Sequence, residues 1–179
     1  LLVLDATEFA TQTDQALAGM IDEAGKGLII VIAKSDLAPS KEAKDEIIRQ
    51  TSERLKFVHY APLIFTSSIS GKNANKIFEL ASEIVARRNQ PTTTRQLNQI
   101  LMNAKLHHPP AGLKNTHPKL RYIVQTDTTP PWFVVYGSQL GLLHWSYKRY
   151  LDSAVREVYD YTGTPIKFSF RDEKLKDRR

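Results

Sequence analysis

An apolar run from Leu28 to Ile32 is followed at once by Ala33-Lys34-Ser35-Asp36, and a shorter run from Leu63 to Phe65 by Thr66-Ser67-Ser68-Ile69-Ser70-Gly71. Each run has the near-continuous apolar character of a strand covered on both faces. Each polar stretch then stands at the carboxyl edge of a sheet, where open α/β folds bind their ligands. A carboxylate there can accept two adjacent donors, one on each oxygen. Asp36 is the residue on which such chemistry would turn. The alternative is an ordinary strand-end turn in which Asp36 caps the next few residues, and the tripeptide alone does not choose between them.

Those stretches are positioned by short apolar runs alternating with amphipathic ones, the pattern of parallel strands joined by crossover helices. Strands are expected at Leu1 to Leu4, Leu28 to Ile32 and Leu63 to Phe65. The opening Leu1-Leu2-Val3-Leu4-Asp5 has no initiator methionine and reads as the middle of a core strand, so further chain is expected upstream. Leu17, Met20, Ile21 and Ala24 fall at helical spacing behind Thr11 and Asp14, which are placed as a capping box, and Gly25 stops that helix. A second helix is expected after Ser40, running to about Lys56 with Ile47, Ile48, Thr51 and Leu55 inward. A third carries Ile77, Leu80, Ala81, Ile84 and Val85 and ends at Arg87-Arg88-Asn89, since basic residues suit a helix carboxyl end. Gln90-Pro91-Thr92 reads as a linker.

Beyond it, Leu97, Ile100, Leu101 and Ala104 mark a helix that His107-His108-Pro109-Pro110 terminates. Leu120 to Gln125 and Trp132 to Tyr136 read as a hairpin, with Trp132, Phe133 and Tyr136 expected inside a small sheet rather than stacked on bases. Tyr147, Tyr150, Leu151, Ala154, Val155 and Val158 give the strongest helical period, which Gly163 ends. Ile166, Phe168 and Phe170 alternate with Lys167, Ser169 and Arg171, a half-buried strand with cations outward. The expected whole is a parallel-sheet α/β part over residues 1–89 and a small α+β part over 90–179 with a basic tail.

Charge divides along similar lines. Residues 1–86 hold nine Lys/Arg against twelve Asp/Glu, and residues 87–179 hold sixteen against seven. A basic part of that kind suits a polyanion such as RNA; the plainer alternative is a solvated surface plus a charged tail, because Arg171 to Arg179 supplies five of the cations. The absence of cysteine removes disulfides and thiolate metal sites and suits a reducing compartment. No apolar run is long enough for a bilayer and no leader opens the chain, so a cytoplasmic protein without a membrane partner is expected. His107-His108 lacks acidic neighbours and adjacent histidines rarely chelate together, so no metal is assigned. No Gly-x-Ser-x-Gly elbow supports serine hydrolase chemistry.

The two polar loops, with one helix and one strand between them, resemble the guanine-reading Asn-Lys-x-Asp motif and Ser-Ala loop of translation-factor-type GTPases. That resemblance implies that Asp36 accepts guanine N1–H and its exocyclic amine, that the Lys34 stem lies along the base, and that N–H groups near Ser67 and Ser68 meet O6, with Ile69 in the same nucleotide-binding loop. Ala33 stands where the family has Asn. The likeness extends to Leu4-Asp5-Ala6-Thr7-Glu8, Glu23-Ala24-Gly25-Lys26, Tyr60-Ala61-Pro62, Thr94-Arg95-Gln96-Leu97-Asn98, His108-Pro109-Pro110, Ser146-Tyr147-Lys148-Arg149-Tyr150-Leu151 and Gly163-Thr164-Pro165-Ile166. On these residues the chain resembles the tail of the Der (EngA) family of double-domain bacterial GTPases. The implied architecture is the latter half of the second P-loop GTPase domain followed by a KH-like domain. The implied ligand is GTP or GDP, with Mg²⁺ held only by residues upstream, and the implied role is large ribosomal subunit maturation.

Gly19 and Gly25-Lys26-Gly27 lack the spacing of a phosphate loop, and no Ser or Thr follows Lys26. No catalytic residue is therefore assigned to this chain, and hydrolysis is expected of a longer parent. By the same resemblance the basic domain contacts rRNA through Lys148, Arg149, Lys167 and Arg171, with Arg121 joining them. No Gly-x-x-Gly occurs, so shape or backbone contact, or docking on the preceding GTPase domain, is expected in place of a four-nucleotide grip. The competing expectation is a non-enzymatic RNA-binding or docking module that has lost nucleotide binding.

Overall fold

A computed structural model of the chain describes residues 1–113 and 116–173. These fall into two units, residues 1–88 with 161–165, and residues 89–160 with 166 onward.

In the first unit β1 (Leu2–Asp5), β2 (Ile30–Ala33) and β3 (Leu63–Phe65) form a parallel sheet in that order. The crossovers are α1 (Gln12–Glu23) and α2 (Lys41–Arg54), and α3 (Lys76–Arg88) follows β3. β2 is buried on both faces because it is the centre strand. Ile30 and Ile32 pack with Leu2, Leu4, Ala18, Ile47 and Leu55 on one side, and Ile29 and Val31 with Ile64 and Ile84 on the other. The Thr11 and Asp14 box forms as expected, Thr11 N–H donating to the Asp14 carboxylate at 2.8 Å and Asp14 N–H to the Thr11 hydroxyl at 3.3 Å. Gly25 takes φ 62°, a left-handed conformation that costs a glycine little.

Three expected inward faces are corrected. α1 meets the sheet through the small Ala18, which is fully buried, and Ile21 packs beside it, whereas Leu17 and Met20 are exposed. In α2 Ile47 and Thr51 are buried but Ile48 is exposed, and in α3 Ile84 is buried but Val85 is exposed. An apolar stripe fixes the period of a helix; which of its residues touch the sheet depends on the size of the side chain at the closest approach.

Residues 161–165 complete this unit. Gly163, at φ 75°, donates its N–H to the Tyr60 carbonyl at 2.7 Å and accepts from Leu28 N–H at 2.8 Å. A Cβ there would lie 2.2 Å from Ile84 Cδ1, so only glycine fits.

In the second unit β4 (Lys119–Thr128), β5 (Pro131–Ser138) and β6 (Lys167–Asp172) form a mixed sheet, β4 antiparallel and β6 parallel to the central β5. Its core is built from Leu97, Leu101 and Ala104 of α4 (Thr94–His107) and Leu151 and Val155 of α5 (Trp145–Val158), with Ile123, Phe133 and Val135 from the strands. Asn98 on α4 exchanges two hydrogen bonds with the Ile123 backbone, at 3.0 and 3.1 Å. Its amide occupies edge groups of β4 that would otherwise be open to another strand. Alternation gives the sheet two faces: Ile123, Phe133, Val135, Phe168 and Phe170 on one, and Tyr122, Trp132, Tyr136, Lys167, Ser169 and Arg171 on the other. Phe133 is inside as expected, but Trp132 is 40% exposed and Tyr136 only half-buried, because they point away from the helices. The tail beyond Glu173 lies outside the described residues.

Candidate functional site

β2 ends at Ala33, and Lys34 reverses the chain by adopting φ 54°, ψ 38°, an uncommon conformation for a residue with a side chain. Its ammonium lies 2.6 Å from Asp5 Oδ2. Asp5 closes β1 in register with Ala33, and its Oδ1 accepts from the Thr7 N–H at 2.9 Å and the Thr7 hydroxyl at 2.7 Å. The hydrogen bond from Lys34, followed by those from Thr7, lowers the Asp5 carboxyl to about 2. The same pair raises the Lys34 ammonium above its ordinary value. Both groups face solvent, so the pair orients Lys34 more than it stabilises the fold.

Ser35 is buried, and its N–H donates to the Thr66 carbonyl at 2.9 Å, while Thr66 N–H donates to the Ile32 carbonyl at 2.8 Å. The two rim loops are thus continuous with the strand ladder. A single 3₁₀ turn over Ser35–Leu37 carries Asp36 onto the rim. Ser67, itself buried, donates its hydroxyl to Asp36 Oδ1 at 2.5 Å and accepts from Ser70 N–H at 3.4 Å. Asp36 Oδ2 takes no hydrogen bond among the described residues. Asn73 Nδ2 donates to the Phe65 carbonyl at 2.8 Å and closes the second loop, above which Ile69 stands 85% exposed.

All seven residues expected at this rim lie at the carboxyl edge of the parallel sheet: Ala33, Lys34, Ser35 and Asp36 on one loop, Ser67, Ser68 and Ile69 on the next. The strand-end turn exists, but Asp36 is held by Ser67 across thirty-one residues rather than capping its own turn. The arrangement is a carboxylate with one oxygen anchored and the other open, beside an oriented ammonium. It can accept two parallel N–H donors from a flat heterocycle, since Oδ1 keeps a second lone pair. Asp5 and Thr7 were missed as members of the site; the signal was an acidic residue closing the strand beside Ala33.

The five expected RNA-contacting cations are not one cluster. Lys167 and Arg171 stand on the outer sheet face, in register with Trp132 and Tyr136. Arg121 occupies a bulge of β4 and pairs with Glu173. Lys148 and Arg149 belong to α5, where the Lys148 ammonium lies 5.1 Å from the Phe170 ring centre and the Arg149 guanidinium 5.6 Å from that of Trp145. His144 caps α5 by accepting from Ser146 N–H at 3.3 Å, and Trp145 beside it is 60% exposed. Neither was singled out from sequence, where a His-Trp pair before a helix carries no distinctive spacing.

Residues 92–171 match the family described as the KH-domain-like, C-terminal part of EngA bacterial GTPase enzymes. Over nearly the whole chain the sequence is 40% identical to GTPase Der of Thermomicrobium roseum, 39% to that of Chloroflexus aggregans and 38% to that of Pelotomaculum thermopropionicum. Those alignments cover 97%, 100% and 96% of this chain but only 38%, 40% and 39% of the relatives, so the chain spans about two fifths of their length. The Aquifex aeolicus Era structure bound to GDP and aluminium fluoride aligns with 98% of this chain and 65% of its own, at 15% identity and a TM-score of 0.40.

Proposed function

Since the chain belongs to the Der (EngA) family of bacterial GTPases, aligning with about two fifths of the length of those relatives and matching their C-terminal KH-like domain over residues 92–171, we propose that its parallel-sheet unit supplies the guanine-reading rim of a GTP-binding ribosome-assembly factor. Asp36 accepts N1–H and the exocyclic amine of guanine, a donor pair that adenine does not present. Ser67 keeps that carboxylate in place, and Asp5 directs Lys34 toward the base. Backbone N–H groups of Ser68 and Ile69, in the exposed part of the second loop, meet O6. The observation that carries this reading is the 2.5 Å hydrogen bond from buried Ser67 to Asp36, which joins the two loops through one carboxylate.

The basic unit contacts rRNA of the large subunit, and hydrolysis and its metal ion belong to residues of the intact protein outside this chain. Ala33 gives the rim one polar contact fewer than the family's Asn, which favours a second reading of weakened nucleotide binding. The deciding experiment compares GDP and xanthosine diphosphate on the intact protein and its Asp36→Asn variant. Reversed preference, with GDP affinity down by more than about a hundredfold, supports the assignment. Unchanged preference removes Asp36 as the reader, and no nucleotide affinity in the unmodified protein selects the second reading.

A further inference from the structure

We propose that the outer face of β4, β5 and β6 is a base-stacking platform for single-stranded RNA, built from Tyr122, Tyr136 and Trp132 and flanked by Lys167 and Arg171. It rests on the reading that the basic unit contacts RNA, and it names where.

The register gathers the rings on one face. Tyr122 and Tyr136 are direct cross-strand partners stacked on each other, with ring centres 4.7 Å apart and planes 16° apart, so each covers one face of the other and leaves its second face for a base. Trp132 stands four residues away on the same face of β5, about 13 Å along the strand. Its indole N–H donates to Ser169 Oγ at 2.8 Å, which fixes the ring and satisfies its only polar atom. Tyr122 is 39% and Trp132 40% exposed, while Phe133 between them in the sheet is wholly buried on the other face. These rings are therefore not the core of the unit, whose buried aromatics include Phe133, packed 5.5 Å from Phe168, and Tyr147.

Charge selects the occupant. Lys167 is the β6 register partner of Trp132 and Arg171 that of Tyr136, so both outward rings of β5 have a cation across that strand pair, while Asp127 faces Trp132 from β4. Aromatic faces alternating with cations suit unstacked bases strung on phosphates, whatever their sequence. The aliphatic side chains on this face are Val124 and Val134, which lie between the rings, and Val134 is buried. The chain has no Gly-x-x-Gly, so the usual KH clamp on four nucleotides is absent and affinity must be found on another surface.

The test uses the intact protein and a fluorescein-labelled single-stranded oligouridylate, read by anisotropy. Tyr122→Ala and Trp132→Ala each lower affinity roughly five- to a hundredfold, whereas Tyr122→Trp and Trp132→Phe keep it within about threefold. In a Trp145→Phe background, the emission removed by a further Trp132→Phe substitution is that of Trp132, and RNA quenches it. Unchanged affinity in both alanine variants, with loss in Lys148→Ala/Arg149→Ala, overturns the platform and leaves the RNA reading standing. No affinity in the unmodified protein overturns both. Trp132 emission that is already shielded from acrylamide without RNA shows the face covered by protein and overturns the platform alone.

Discussion

In the first unit the polar groups gather where parallel strands end, and each is tied by its own hydrogen bond: Thr7 to Asp5, Lys34 to Asp5, Ser67 to Asp36. In the second unit the outward aromatic and cationic groups repeat along the strands by register, with Trp132 also held by Ser169. The rim presents a few donors and acceptors at fixed positions, an arrangement able to tell one base edge from another. The outer sheet face is broad and repetitive, an arrangement that accepts any base. Specificity thus follows from how many constraints hold each side chain, and breadth from how few.

That contrast can be tested where the constraints are strongest. Leu101→Ala removes a buried side chain beneath the second sheet and should cost about 2–5 kcal/mol of that unit's stability, measured by denaturant unfolding. A smaller loss would mean that the second unit closes over the missing side chain without leaving a cavity. Ser67→Ala frees the Asp36 carboxylate and should weaken GDP binding by the intact protein about tenfold, the worth of one charge-assisted hydrogen bond. Equal affinity would show that the carboxylate needs no anchor. Tyr147→Phe should be neutral or raise stability by up to about 1 kcal/mol, because it deletes a buried hydroxyl that has no partner among the described residues. Burial, with the nearby Tyr150 adding to it, pushes that phenol up to about 12, so it stays protonated throughout the working range.

The smallest effect concerns Asp5. Its folded value of about 2 lies below the ordinary 3.8, so the Lys34 pair is fully present above about pH 4 and is lost as pH falls toward 2. Carboxyl-carbon NMR should place its midpoint near the lower value, and Lys34→Met should move it up. A midpoint unmoved by that substitution would leave Thr7 as its main partner.

The rim was legible because strand burial and loop spacing are local properties. Ile30 to Ala33 reads as a centre strand from its composition, and Asp36 follows at a fixed distance. The role of Asp5 was hidden because its partner is twenty-nine residues away and only parallel register brings them together. The helix periods were legible, but the faces of α1, α2 and α3 were only partly so. Leu17, Ile48 and Val85 have the character of core residues, yet lie beyond the arc that meets the sheet. Trp132 and Tyr136 show the same limit in a strand: alternation separates two faces, and hydrophobicity does not say which of them the helices cover.

Gly163 bears on how the molecule can be dissected. A gene cut at the Gln90-Pro91 linker would leave Tyr60 without its donor, Leu28 without its acceptor and Ile84 bare, although every residue of the rim would still be encoded. A fragment meant to carry the base-reading loops on its own must keep or graft residues 161–165, and a soluble yield that depends on those five would show how late in the chain the first unit is finished.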